Sequence, residues 1–171
     1  FMPGGMGVNL VKQYRQAGLA DTIPFLSAFT VDETTLPATG EAALGFYSGA
    51  PWAPDLDVPA NKAFVAAFEK EYGYIPALYA AQGYDAARLI DSAIKATGGK
   101  LSDKAAVRAA LKKADFASVR GNFKFNTNQF PIQDFYLVKV GKRADGKVET
   151  MVSEKVFSNY GDAYAAKCEM K

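Results

Sequence analysis

The sequence predicts an α/β fold in which a parallel sheet is covered by flanking helices. Three observations carry that prediction. Short apolar runs rich in aromatic residues alternate with longer segments of helical periodicity through the first fifty residues. The connections between them are short, and a β–α–β–α–β order with short loops favours a parallel sheet with covering helices. The 171 residues are 49% hydrophobic, which is enough to bury a core.

The elements follow in order. Gly7 to Gly18 carries Leu10, Val11, Tyr14 and Ala17 on one helical face, with Lys12, Gln13, Arg15 and Gln16 opposite. Gly18 supplies the stop. Ile23 to Phe29 reads as a short buried strand whose ladder begins after Pro24. Thr30 or Asp32 caps a brief helical turn through Leu36, and Gly40 to Leu44 adds another before a second strand at Leu44 to Ser48. Pro51, Pro54 and Pro59 then mark a connector around Trp52. Three helices come next. Asn61 to Tyr72 ends at Gly73. Pro76 to Thr97 has its proline near the first turn, and Ser102 caps Asp103 to Ala114. The last section changes to β character at Phe123 and Phe125, at Phe135 to Val140, and at Val148 to Val156 after a turn at Ala144 to Lys147. Beyond Ser158 a loosely held tail is expected.

Composition narrows the chemistry. A net charge of +2 is spread over mixed-sign surfaces, with no basic run longer than Lys112-Lys113, so nucleic acid is not expected as a partner. No apolar stretch approaches the length of a membrane-spanning helix. There is no histidine and one cysteine, Cys168, which removes most transition-metal and histidine-based catalytic schemes. No carboxylate pair stands at a suggestive spacing in an apolar context. Neither enzyme activity nor a cofactor is expected.

Residues Pro76 to Leu89, PALYAAQGYDAARL, are followed by a Gly98-Gly99 stop, the Ser102-Asp103 helix start and Val119-Arg120-Gly121-Asn122-Phe123-Lys124-Phe125. This order resembles the C-terminal half of type I periplasmic solute-binding proteins of ABC importers, in the branched-chain amino-acid-binding (Leu/Ile/Val-binding-like) family. The resemblance runs from about Phe1 to about Tyr136. It implies a two-lobe protein about twice this length, with a ligand held between the lobes and released by hinge motion. A chain opening at Phe1 is then expected to be the C-terminal part of such a protein. Residues 1–54 would form a second-lobe segment, 55–118 first-lobe helices, and 119–171 the return to the second lobe. The implied setting is periplasmic, or extracytoplasmic and lipid-anchored. The implied partners are a small-molecule ligand, an ABC permease in the inner membrane, and the N-terminal half of the same protein or another copy of this chain. Faces around Phe64, Phe68, Leu89 and Ile94 would otherwise meet water. Cys168 is either a free tail thiol or half of a disulfide to the other half of the protein.

The resemblance also selects candidate ligand-binding residues. Gly5 and Met6 lie in a Pro3–Gly7 loop ahead of a helix, where backbone N–H groups could meet an anionic ligand group, or simply form a turn and cap. Met6 suits an adaptable apolar surface. Phe29 stands where amino-acid binders of the family carry an acidic residue that neutralises the ligand's ammonium. Burying an unpaired ammonium against phenylalanine would cost several kcal/mol, so the expected ligand is a small carboxylate with an aromatic or branched apolar body. Thr30 joins the set because a one-residue shift in register would put it there. Tyr79 and Tyr84 point in different directions on the long helix, and Tyr79 is the one assigned to the cleft. Trp52 is read as a hinge clamp and Arg120 as half of a hinge ion pair. The alternatives are an amino-acid binder with its acidic group elsewhere, or a ligand-sensing regulatory domain on the same fold.

Overall fold

The computed structural model describes residues 1–169. Helix α1 spans Gly4–Gln16 and is followed by strand β1, Leu26–Ala28. The short helix α2, Leu36–Thr39, and a single helical turn lead to β2, Tyr47–Ala50. Helices α3, Pro59–Tyr72, α4, Leu78–Ala96, and α5, Lys104–Lys113, form the middle of the chain. Strands β3, Lys124–Phe125, β4, Pro131–Lys142, and β5, Val148–Tyr160, close it.

The expected α/β architecture is present, but the sheet is mixed. Only β1 and β2 run parallel, with Leu26 opposite Tyr47 and Ala28 opposite Gly49. Strand β4 is the hub: β2 lies antiparallel to it at Tyr136–Lys139, β3 pairs with its start, and β5 returns along most of its length. The antiparallel part follows from the tight turn at Arg143–Lys147, where Lys147 O accepts the Arg143 amide. A hairpin of that length can only return antiparallel. Strand β5 reaches Tyr160, four residues past the expected Val156, so the stretch expected to be a loose tail begins as ladder.

Helix boundaries show the same local logic. Helix α1 starts three residues before Gly7. Gly4 enters it at φ 59°, a conformation that glycine takes without a Cβ penalty. Gly73 ends α3 in the left-handed region, as its position suggested. Asp103, not Ser102, caps α5: its carboxylate accepts the Ala106 amide at 3.0 Å. Pro76 sits outside α4, before the Ala77 cap, and is buried there.

Two apolar clusters hold the elements together. One joins α1 to the sheet through Val11, Phe25, Val31, Leu36, Phe46 and Val140, with Phe25 and Phe46 stacked at 4.5 Å. The other joins Trp52, Phe64, Leu78, Ala81, Tyr136 and Val138. Phe64 is therefore core, not a face left to water, and Phe68 and Leu89 are half-buried. Ile94, together with Ile90, Tyr79 and Tyr84, does remain exposed on α4. Within the second cluster the Trp52 indole N–H donates to Asn61 Oδ1 at 2.6 Å. The Asn61 amide in turn donates to the carbonyls of Pro54 and Leu56. This buried pair fixes the connector to α3.

Candidate functional site

The site is built where the first residues of the chain meet the end of β1. The Met2 amide donates to Thr30 Oγ1 at 2.9 Å, and the Phe1 ring meets the Phe29 ring edge-to-face with centroids 6.1 Å apart. Gly7 makes this approach possible. A Cβ there would lie 2.2 Å from the Met2 carbonyl oxygen and 3.3 Å from Thr30 Cγ2, so no larger residue fits without displacing the segment.

Phe29 is held at φ 57°, in the left-handed region that bulky side chains avoid. Such a conformation persists only where the surroundings impose it, and it is concentrated at functional positions. Here the surroundings are the Phe1 ring on one side and, on the other, the Trp52–Leu78–Val138 cluster on which Phe29 packs half-buried. The result is an aromatic surface at the C-terminal end of a parallel strand.

Beside it, the first turn of α1 has no side-chain cap and no acidic residue. The early backbone N–H groups of a helix lack intrahelical partners and carry the positive end of its dipole. Gly4 and Gly5 leave open space where a side chain would stand, so a ligand atom can reach the backbone directly. Met6, in the same turn, is 62% exposed. Gly5 and Met6 thus lie in the turn just after Met2, whose amide is bonded to Thr30, the chain neighbour of Phe29.

Thr30 lies under this surface, not on it. It is 1% exposed, its hydroxyl is taken by Met2, and its carbonyl accepts from Thr35 Oγ1 at 3.0 Å. Tyr79 belongs to the first turn of α4, next to Leu78. Leu78 is buried and lines the narrow cleft beneath Phe29, while the Tyr79 ring points outward and is exposed. That cleft is far smaller than the hundreds of Å³ a ligand pocket encloses, so the surface stands open.

The sequence reading missed the two carboxylates behind this surface. Asp32 and Glu33 are both buried. Asp32 Oδ1 accepts the Thr34 amide at 2.9 Å and the Thr34 hydroxyl. Glu33 Oε1 accepts the Thr150 amide at 2.8 Å and its hydroxyl at 2.7 Å, which ties the loop after β1 to β5. Burial pushes the Glu33 carboxyl up to about 7, and Glu149, buried near Arg143, Asp55 and Glu69, is likewise pushed up to about 7 by burial. The one available signal was the polar run Thr30–Thr35, in which every residue except Val31 carries a side-chain acceptor.

A second constellation matches the expected ion pair of Arg120. Asp85, 1% exposed, accepts from the Ser118 hydroxyl at 2.6 Å, the Val119 amide at 2.9 Å and Arg120 Nε at 3.0 Å. Arg120 also donates to Gln133 Oε1 at 2.8 Å and lies over the Phe123 ring at 4.3 Å. Nε and Nη1 of the guanidinium both meet buried partners, so this node fastens α4 to the segment entering β3.

Helices flanking a central mixed sheet are shared with solved ABC-transporter solute-binding proteins, and the class is the type I periplasmic binding-protein fold. The chain belongs to the periplasmic binding protein family, whose model matches residues 1–147. A Leu/Ile/Val-binding protein homologue of Brucella melitensis is 33% identical over 152 residues, covering 85% of this chain and 39% of that protein. The solute-binding protein of an ABC transporter from R. palustris, solved in complex with benzoate, is 34% identical. It has a TM-score of 0.85 over 99% of this chain and 45% of its own. A second solute-binding protein, from Rhodopseudomonas palustris HaA2 in complex with p-hydroxybenzoic acid, is 35% identical, with a TM-score of 0.82 over 98% and 46%. The chain therefore spans less than half the length of the relatives it matches.

Proposed function

We propose that this chain is part of an extracytoplasmic solute-binding component of an ABC importer that captures a small aromatic carboxylate between two lobes. The observation that carries the reading is Phe29, an aromatic ring held at a positive φ at the strand end and packed edge-to-face against Phe1. The ligand ring stacks on Phe29, a contact worth about 0.5–1.5 kcal/mol beyond its buried area. Its carboxylate meets the uncapped amides of Gly5 and Met6 at the α1 N-terminus. Thr30 holds Met2 beside Phe29, and Tyr79, exposed in the first turn of α4, is the contact assigned to the opposite side of the cleft. Residues 1–54 and 119–171 contribute to one lobe and the helices of 55–118 to the other, with the remaining walls supplied by the rest of the full-length protein. Ligand binding stabilises the closed arrangement that a membrane permease recognises, which requires only that closed bind better than open. The benzoate and p-hydroxybenzoic acid complexes of the relatives support this ligand class. The reading involves no bond making and no cofactor.

A second reading has its own support. The Brucella relative is named for branched-chain amino acids, and the buried acid Glu33 lines the cleft beneath Phe29. In that case the counter-charge for an ammonium has moved four residues along the chain.

Calorimetry on the full-length protein with benzoate, 4-hydroxybenzoate and leucine separates the two. Benzoates are expected to bind, leucine is not, and Phe29→Ala should weaken benzoate about tenfold, the scale of one well-placed aromatic contact. Binding of leucine with no response to either benzoate would leave the amino-acid reading standing, and silence to all three would overturn both.

A further inference from the structure

A separate cavity of about 340 Å³ opens between α2, the α3–α4 turn and the start of β5. Its walls include Leu36, Pro37, Tyr74, Ile75 and Val148, together with Glu33 and Lys147. We propose that this cavity binds a small primary amine with a branched or aromatic apolar body, whose ammonium donates to Glu33. The site nominated for the aromatic acid uses Phe29 and the α1 N-terminus, so the two proposals share only Glu33, which forms part of the partition between them.

The argument starts from what Glu33 lacks. It is 9% exposed, and its hydrogen bonds come from the Thr150 amide and hydroxyl, both uncharged donors to Oε1. Among the described residues no lysine or arginine pairs with it. A glutamine would tie the loop to Thr150 equally well, because its side-chain carbonyl accepts the same two bonds. What a carboxylate adds is a charge, and a buried charge without a counter-ion is costly unless a cation completes it. The nearest candidate, Lys147, is turned away to Glu69 at 3.6 Å, and Arg143 is committed to Glu69, Asp145 and Glu149. The cation is therefore left to come from the cavity.

The walls choose the rest of the ligand. They are aliphatic apart from the Tyr74 ring, which is braced edge-to-face on Phe68 at 5.3 Å and leaves its outer face free. The volume lies at the lower end of the range for small-molecule pockets, which suits a body of five to eight carbons and excludes larger ligands. A ligand carrying a carboxylate of its own would meet Glu33 as a like charge.

The test titrates the chain with 3-methylbutylamine and with its uncharged isostere 3-methylbutanol, following the methyl resonances of Leu36, Ile75 and Val148. It is run at about pH 8, where the carboxyl is ionised and the amine remains protonated. Beside Glu33 stand Asp32 on its own loop and Lys147 at the same cavity, the latter drawn to Glu69. The amine is expected to perturb all three methyl groups and to bind about tenfold more tightly than the alcohol, the scale of one charge-assisted hydrogen bond. Glu33→Gln keeps the Thr150 bonds and should abolish that preference. Tyr74→Ala, at an exposed position, should weaken amine and alcohol alike. Equal affinity for amine and alcohol, a preference that survives Glu33→Gln, or no perturbation by the amine would each overturn the proposal. So would shifts centred on Phe29, which would assign the amine to the other site.

Discussion

At the scale of single residues, two neighbouring glycines in α1 have opposite roles. Gly7 has no room for a methyl group against the Met2 carbonyl, whereas Gly5 has open space and an ordinary φ. Gly7→Ala should therefore force the Phe1–Met2 segment off Thr30 and Phe29, costing about 1–3 kcal/mol, the usual range for overpacking. Gly5→Ala should be neutral or stabilise by about 0.5–1 kcal/mol, because alanine is the better helix former. Urea unfolding of both variants checks the pair. Equal effects would mean that the close approach of Met2 to Gly7 is not made in solution. The candidate site was partly legible at this scale. Phe29 could be singled out because an aromatic stands where related amino-acid binders need an acid. Its positive φ and its contact with Phe1 could not, since the first depends on what the surroundings impose and the second joins residues 28 apart. Thr30 was read as a position that a register shift would bring to the ligand, yet it is 1% exposed with its hydroxyl bonded to the Met2 amide, and a hydroxyl in sequence does not reveal which donor it will meet.

At the scale of elements, local punctuation was readable and long-range pairing was not. Gly73 and the Ser102-Asp103 pair mark helix ends because capping involves residues within one turn of each other. The cap of α5 moved by one residue, and the geometry discriminates: Asp103→Ala should cost about 1 kcal/mol of stability while Ser102→Ala costs little. Thermal unfolding of the two variants would reveal a reversed order if Ser102 were the cap after all. The mixed sheet was not readable, because the partner of β2 is β4, some ninety residues later, and nothing near β2 encodes it. The tie between the β1–α2 loop and β5 has a pH signature. Burial raises Glu33 and Glu149 from 4.5 to about 7 in the folded chain. Between those values the folded state holds protons that the unfolded chain has released, so stability is greatest below pH 4.5 as far as these groups are concerned. It falls as pH rises through the window and levels off above about 7. Glu41 and Asp57, lowered by hydrogen bonds from Lys142 and Lys62, act in the opposite sense, and only below their ordinary values. Glu33→Gln should flatten the decline in melting temperature across this window, and Glu33→Gln with Glu149→Gln should flatten it further. A slope unchanged in both would remove these carboxyls as its cause.

At the scale of the whole molecule, part of the apolar surface left outside the two cores lies on α4 and at the edge of the sheet. Ile90 and Ile94 lie four residues apart on α4 and are 54% and 38% exposed, Tyr79 and Tyr84 stand on the same helix, and Leu26 on β1 is 69% exposed. Strand β1 pairs only with β2 among the described strands, so its other edge offers free backbone donors and acceptors. Residues i and i+4 fall on one helical face, and exposed apolar faces drive association at roughly 25 cal/mol per Å² of area removed from water. The chain covers less than half the length of its relatives. On its own, the 171-residue chain should therefore associate in a concentration-dependent way, seen as a rising weight-average mass in sedimentation equilibrium, and should bind a hydrophobic dye. Ile90→Lys with Ile94→Lys should lower both signals if α4 carries the contact, while Leu26→Lys should do so if the β1 edge carries it. A constant monomer mass with no dye binding would instead mean that α4 folds its outer face inward in solution. The two sets of substitutions would then lower stability rather than association, because the lysines would enter a core.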